Sequence, residues 1–511
     1  MKNAKSSRSA ISPTREENYA DWYLEVVKKA ELAEHTQVRG CMVIKPWGYA
    51  IWENIRRVLD KKFTQTGHEN AYFPLFIPLR YFEKEAKHVE GFAKECAVVT
   101  HHRLEQNGEG RLVPGGKLEE PLIVRPTSEM IIGETYAKWV KSYRDLPILI
   151  NQWANVVRWE MRPRMFLRTA EFLWQEGHTA HETEKEAIAE TLQMLNLYVD
   201  FCKNYLAMPT LYGRKPLEER FPGAVETYTL EAMMQDRRAL QAGTSHFLGQ
   251  NFAKSCGIQF QTRQSSGEGR SYAWTTSWGV TTRLIGAMIM THSDDNGLVL
   301  PPKIAPKHVV ILPIVRRSEE AKEMFTYAEK LQSALQQKQC FGQSISVQID
   351  RRDIRGGEKM WSWVKKGIPL RLEVGPKECA SKTVSLSRRI DPVSTKIILP
   401  REEVISKTPY MLAEMQALLL ENAERFQEEH TQKVETLEEL YAFFTPPNDA
   451  ATCPTGGFAL GYYDEQASTQ VLQKELGVTV RCIPFDQEGS SGPCLLSGKQ
   501  TNQRAVFAKA Y

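Results

Sequence analysis

A chain of 511 residues has room for roughly two to four domains and a sizeable core. With 42% hydrophobic and 25% charged residues, it is excluded from the disordered class. A formal net charge of +4 neither requires nor forbids nucleic acid, so any basic surface must be local.

The first segment, Met1 to Pro13, is polar and basic without an apolar stretch, which predicts a disordered tail over 1–13 and not a signal peptide. Thr14 with Glu17 reads as a capping box. Trp22, Val26, Ala30 and Ala33 follow at helical spacing, and Trp52, Ile55, Leu59 and Phe63 mark a second helix. That helix runs into Ala71–Pro78, a proline-interrupted strand. Residues 104–120 are Gly-rich and polar and predict an exposed hairpin or loop. Strands are expected at 121–125, 148–160 and 168–175, and helices at 182–206 and 279–290. The proline cluster from Pro301 to Pro306 suits a linker. Beyond it, a strand from His308, a helix at 318–338, a strand near 344–349, a helix near 357–366 and a strand at 369–374 alternate as in a small α/β domain. A long amphipathic helix carries Met411, Met415, Leu418, Leu419, Ala423 and Phe426, and residues from about 440 to 511 form a third small unit. No apolar run is long enough for a membrane span. The nine cysteines are odd in number and mostly isolated, which favours a reducing, cytoplasmic setting.

Four segments can carry chemistry. In a strand, residues two apart share a face, so Arg158 and Glu160 point the same way, as do Arg168, Phe172 and Trp174. If the two strands pair as a hairpin, two guanidiniums, a carboxylate and two aromatic rings line one floor. Guanidinium forks bind phosphate and carboxylate, and a ring can stack on a nucleobase. Arg162 and Arg164 in the connecting loop suit a polyanion. The alternative is a surface hairpin with a mixed charged face and ordinary cation–π packing. The second segment is a strand at Ser271–Trp278 leading into an apolar helix with Arg283 in its first turn; its partner is either an anionic ligand or a structural carboxylate. The third is Arg125-Pro-Thr-Ser-Glu129, whose Thr127, Ser128 and Glu129 could accept from an ammonium, or simply cap a helix. The fourth is Gln241-Ala-Gly-Thr-Ser-His246, where small residues permit close approach and His246 is a pocket residue or a packed histidine. There is no GxGxxG or GxxxxGK[ST] loop, no HExxH and no GxSxG. Cys453, Cys482 and Cys494 lack a CxxC pair and make a weak zinc signal.

In order along the chain, the segment Gly67–Pro78, the Arg158–Glu176 hairpin and the strand–helix bearing Arg283 resemble the three signature motifs of class II aminoacyl-tRNA synthetases. Gly40-Cys-Met-Val-Ile-Lys-Pro-Trp-Gly48, Arg125-Pro-Thr-Ser-Glu129, Phe172-Leu-Trp-Gln-Glu-Gly-His178 and Gly243-Thr-Ser-His246 resemble prolyl-tRNA synthetases of the archaeal and eukaryotic-like type, and the likeness covers almost everything after residue 14. The resemblance implies an α+β fold: an antiparallel class II catalytic sheet flanked by helices over 14–302, an α/β anticodon-binding domain over 303–405 and a small α/β C-terminal domain over 406–511. It also implies a cytoplasmic homodimer built through the first motif, acting on ATP, L-proline and tRNA(Pro).

Carried over by position, Arg158 would grip the α-phosphate and the proline carboxylate. Glu160 would hold the adenine end and Phe172 would stack on adenine. Arg168 and Arg283 would bind the outer phosphates. Thr127 and Glu129 would accept from the proline ammonium, Trp174 and His246 would shape the ring pocket, and Gln241, Thr244 and Thr276 would contact ATP. Arg158 and Arg283 stand as the catalytic pair. Glu358, Lys359, Arg371 and Glu373 are candidates for anticodon contacts, the alternative being a solvated helix face and strand end. Mg²⁺ is expected with ATP. Zinc, held by four cysteines in relatives, is doubtful here because the early partner of Cys453 is missing. The terminus Phe-Ala-Lys-Ala-Tyr511 resembles the family's, whose last tyrosine can lie near the active site. The interval of about 177–270 is too short for the editing domain that bacterial-type relatives insert. The competing readings are a class IIa synthetase for threonine, histidine or glycine, and a silent paralogue that binds tRNA or proline; the Pro-Thr-Ser-Glu loop weighs against the first and the three standing arginines against the second.

Overall fold

The computed structural model describes residues 9–84, 95–263, 269–315, 318–446, 455–487 and 489–511. Its centre is an eleven-stranded sheet. From one edge the strands are Thr431–Lys433, Phe458–Tyr462, Arg504–Lys509, Val478–Pro484, Leu211–Arg214, Glu226–Met233, Ala239–Gly249, Trp274–Thr281, Glu171–His181, Ile148–Val157 and Glu69–Asn70. All neighbours are antiparallel except the outermost pair at each edge.

The helices form where the apolar spacing requires them. Pro46–Gln65 begins on a proline, whose missing N–H costs nothing in the first turn, and buries Ile51, Trp52, Ile55, Leu59 and Phe63. Glu184–Asn204 starts on a reciprocal Thr183–Glu186 cap and buries Met194, Leu195, Tyr198 and Phe201. These helices, with Tyr19–Lys29 and Arg283–His292, pack into one apolar core on one face of the sheet. Thr14 and Glu17 do exchange backbone–side-chain hydrogen bonds, but the helix begins later, behind Asn18, which accepts from Asp21 N.

Two expectations about chain punctuation change. The predicted tail is fixed at its end: Ile11 is fully buried and its amide donates to Asp295 O at 2.9 Å. The proline-rich linker is also packed, with Pro302, Ile304 and Ala305 buried and Asn54 Nδ2 donating to Ile304 O. The reason is the same in both cases: a few apolar side chains in a polar stretch find a place in the core, which outweighs the local composition.

Residues 104–120 belong to a long hairpin, Ala97–Gln106 with Leu112–Val124, joined by Phe76–Pro78 into a three-stranded sheet. After residue 308 a five-stranded sheet orders as Val347–Ile349, Val309–Pro313, Leu370–Val374, Thr383–Arg388 and Ile397–Pro400, parallel in its first three strands. Ser318–Gln336 and Arg401–Glu429 cover one face, and Gly356–Lys365 the other. The Arg401–Glu429 helix runs unbroken across the expected 405/406 boundary, and Gln416 Nε2 donates to the carbonyls of Asn204 and Tyr205. The C-terminal strands are no separate sheet: Ile483 and Pro484 pair with Arg214 and Gly213 and so extend the central one. No helix among the described residues is long and apolar enough to cross a membrane.

Candidate active site

The face of the central sheet opposite the helices opens into a cavity of about 430 Å³, within the usual range for small-molecule sites. Its floor is the Glu171–His181 strand and its neighbours. Phe172, Trp174, Glu176 and His178 alternate along that strand and all line the cavity. Gly177, between them, faces the other way and abuts the Trp278 ring.

Arg158 follows directly on the Ile148–Val157 strand. Its amide donates to Ala170 O and its Nε to Pro126 O at 2.8 Å. The guanidinium lies 5.7 Å from the Phe172 ring centroid and 5.5 Å from that of Trp174. Burial lowers its pKa, while Glu129, Glu95 and Glu176 oppose the shift. Arg168 precedes the Glu171–His181 strand and donates through Nε to Glu160 at 3.0 Å. Glu160 also accepts from Arg162 N. Both Arg158 and Glu160 lie beyond the last strand residue, Val157. The shared-face premise therefore does not hold for that pair, yet the cavity brings Arg158, Glu160, Arg168, Phe172 and Trp174 together.

Arg283 opens its helix. It donates through Nε to Leu167 O at 3.0 Å and through a terminal nitrogen to Gln241 O at 3.5 Å. Among the described residues it forms no salt bridge; Glu231, whose charge reaches it, is itself paired with Arg481. Burial, with Arg168 and Arg158 nearby, depresses its pKa to about 10. At that value the guanidinium is still charged near pH 7, and guanidiniums that crowd together in this way are set up for an anion.

At the other end, Thr127 donates to Glu129, and both are nearly buried. Ser128 and Gln152 donate to Glu176 Oε1 at 2.5 and 2.7 Å, and His178 Nε2 meets Oε2 at 2.9 Å. Burial would raise the Glu176 carboxyl, but these hydrogen bonds and the His178 charge lower it; burial would lower His178, but Glu176 and Glu129 raise it. His246 sits 4.7 Å from the Phe221 ring, with Nδ1 3.1 Å from Thr227 Oγ1. Burial, aided by Lys215 and His178, holds its pKa down to about 3, so the ring is neutral near pH 7. Ser277 Oγ and Trp174 Nε1 line the same space without a hydrogen-bond partner among the described residues.

Gln241 and Thr244 line the cavity, but Thr276 does not. It shares the helix-covered face with Trp278, two residues on, and its hydroxyl meets Thr179 Oγ1 at 2.5 Å. Glu176, His178, Lys215 and Phe221 line the site and were not singled out from sequence. The first two lay on the same alternating series as Phe172 and Trp174; the others come from a loop with no periodic signal.

In the unit after residue 308, Glu358 is exposed in the first turn of the Gly356–Lys365 helix, and Glu373 pairs with Lys396 at 2.5 Å. Lys359 is buried and directed at the carbonyls of Pro313 and Asp350. Arg371 is 2% exposed, with Nε and Nη1 lacking partners among the described residues. Of the C-terminal cysteines, Cys482 packs with Met233 and Val506, and Cys494 accepts from Asp464 N. Cys453 lies outside the described residues. No group of three or more His, Cys, Asp or Glu suited to a metal occurs among the described residues.

Comparison with known proteins gives three family matches: a class II tRNA synthetase core domain (G, H, P, S and T) at 116–292, an anticodon-binding domain at 308–408 and a prolyl-tRNA synthetase C-terminal domain at 452–511. The chain is 59% identical over 508 residues to a proline–tRNA ligase of Rhodopirellula baltica, covering 99% of both chains. It is 55% identical over 505 residues to one of Protochlamydia amoebophila, again covering 99% of both. A crystal structure of prolyl-tRNA synthetase from Cryptosporidium parvum complexed with L-proline and AMP aligns with a TM-score of 0.86 at 36% identity, covering 100% of this chain and 99% of that one.

Proposed function

This chain belongs to the prolyl-tRNA synthetases, and from that premise we propose which of its residues carry proline activation and transfer. The enzyme joins proline to tRNA in two steps. The proline carboxylate attacks the α-phosphorus of ATP and pyrophosphate leaves. The terminal ribose hydroxyl of tRNA then attacks the adenylate carbonyl, and AMP departs. The nucleophile of the first step is already ionised, so positioning and charge neutralisation dominate over base catalysis.

Arg158, between the two ends of the cavity, grips the proline carboxylate and the α-phosphate. Phe172 stacks on adenine, with Gln241 and Thr244 beside the nucleotide. Arg168 and Arg283 hold the outer phosphates, and Glu160 orients Arg168. Glu129, with Thr127, receives the proline ammonium, and Trp174 and His246 bound its ring. A neutral His246 fits this, because a second cation beside the ammonium would repel it. Mg²⁺ fits as a cation that arrives on the phosphates, since the donor set lacks a caging cluster and such ions keep several waters. When bound it would neutralise phosphate charge.

The observation that carries this reading is the convergence of Arg158, Arg168 and Arg283 on one cavity with an aromatic wall. The test is amino-acid-dependent exchange of pyrophosphate into ATP. Exchange with proline alone is expected; exchange with threonine or histidine, or none, would contradict it.

Three finer points belong to the same reading. Most of the span 177–270 is taken up by three strands of the central sheet, Leu211–Arg214, Glu226–Met233 and Ala239–Gly249, and the covering helix Glu184–Asn204, which supports the absence of an editing domain; hydrolysis of alanyl-tRNA(Pro) by the pure protein would refute that. Tyr72 and Phe76, at 70% and 47% exposure in the first motif, support a homodimer there, checked by sedimentation. Glu358, Glu373 and the underpartnered Arg371 support anticodon reading in a cytoplasmic enzyme, whereas Lys359 is spent on backbone carbonyls.

A further inference from the structure

The loop from Lys215 to Val225 crosses the ring end of the cavity and presents Phe221 to it. Phe221 and Ala224 pack against the small cluster that holds Leu248 and Phe252. Phe221 N donates to Thr227 Oγ1 at 2.9 Å, and the hydroxyl that receives it also meets His246. Val225 N on Phe247 O and Asn251 Nδ2 on Gly223 O hold its far end, and a cluster of two guanidiniums and two carboxylates holds Arg220. Arg220 meets Glu226 at 3.0 Å and Glu465 at 3.8 Å. Arg214 forks onto both oxygens of Glu465 and lies 3.9 Å from Glu226. All four side chains are between 14% and 27% exposed, so their charges are only partly screened.

Glu465 comes from the far end of the sequence. It lies in a turn closed by Ala467 N to Asp464 O, and that turn rests on Cys494, whose sulfur accepts from Asp464 N at 3.2 Å. We propose that Glu465 is a positioning residue of the proline pocket, through which the C-terminal unit sets the placement of Phe221 against His246. Without it, Arg214 and Arg220 share a single carboxylate. The excess charge then favours a more solvated arrangement of Arg220, and the neighbouring Phe221 loses its fixed backbone. The effect is confined to the ring end, because Phe172, Arg168 and Arg283 do not touch this cluster. The inference rests on the reading of this cavity end as the proline site.

The test is pyrophosphate exchange by the purified full-length enzyme, with KM measured separately for proline and ATP. Glu465→Ala should raise the proline KM about tenfold while the ATP KM stays within about twofold. Glu465→Asp should restore most of the loss, and adding Glu465→Ala to Phe221→Ala should raise KM no further than Phe221→Ala alone. Glu465→Gln, nearly isosteric, serves if the alanine variant does not fold. A proline KM within about twofold of wild type would overturn the proposal. So would proline and ATP KM rising together with a lowered melting temperature, or a multiplicative effect in the double variant. His246→Ala separates the two levels: if it too leaves the proline KM unchanged, the site assignment has failed and the proposal falls with it.

Discussion

Arg283 lies half-buried near the guanidiniums of Arg168, Arg158 and Arg481, and its side chain donates to the carbonyls of Leu167 and Gln241, an arrangement that the folded chain gains little from by itself. Its value lies in the anion it meets. Arg283→Ala should therefore raise the activation barrier by about 2.7–4 kcal/mol, by analogy with removal of one preorganised donor. Exchange kinetics would show this as a fall in kcat with the melting temperature held or raised; a lowered melting temperature with kcat unchanged would mark the residue as structural. His246 gives a pH prediction. The unfolded imidazole binds a proton below its ordinary pKa of about 6.5, which the folded one refuses until about pH 3. This group therefore weakens the fold increasingly as pH falls through that window, and leaves stability unaffected above it. Denaturant unfolding of His246→Asn should lose less stability between pH 7 and pH 5 than wild type; parallel losses would contradict the assignment. At this scale the sequence showed which residue types were present and not which were spent. Thr276 and Lys359 looked available, and each is turned to a buried protein partner.

The Glu171–His181 strand was the most legible element, because a period of two needs no tertiary information. Its reading put Phe172 and Trp174 on one face, where both line the cavity, and could have been carried on to Glu176 and His178. The same rule failed one strand away, where regular pairing stops at Val157 and Glu160 reaches the site through its bond to Arg168. A β-carbon at Gly177 would fall 2.0 Å from the Trp278 ring, which is itself fixed by Phe63, Tyr198 and His68. Gly177→Ala should cost about 1–3 kcal/mol of stability as overpacking. Urea unfolding measures this, and an unchanged midpoint would mean that the helix-covered face is looser than described.

At the level of the whole molecule, alternation of strands and helices identified the α/β unit after residue 308, but not the joining of the last unit to the central sheet. That joining rests on short pairings between segments far apart in sequence, Ile483 and Pro484 with Arg214 and Gly213 and the bridge of Ala239 with Ala510. Arg481 reinforces it through a buried pair with Glu231. Nothing in local pattern or composition encodes such a contact, because it depends on which edge is left open once the rest has folded. The consequence is that the C-terminal strands and the strands under the cavity belong to one sheet, although the cavity itself is lined only by residues between Glu95 and Arg283.

The central claim is that this cavity holds ATP and proline together, joined at Arg158. A crystal structure of the enzyme with proline and a non-hydrolysable ATP analogue tests it most directly. The account predicts adenine against Phe172, the α-phosphate and proline carboxylate both within hydrogen-bond distance of Arg158, and the outer phosphates between Arg168 and Arg283. A nucleotide bound away from Phe172, or a proline carboxylate that does not reach Arg158, would contradict it.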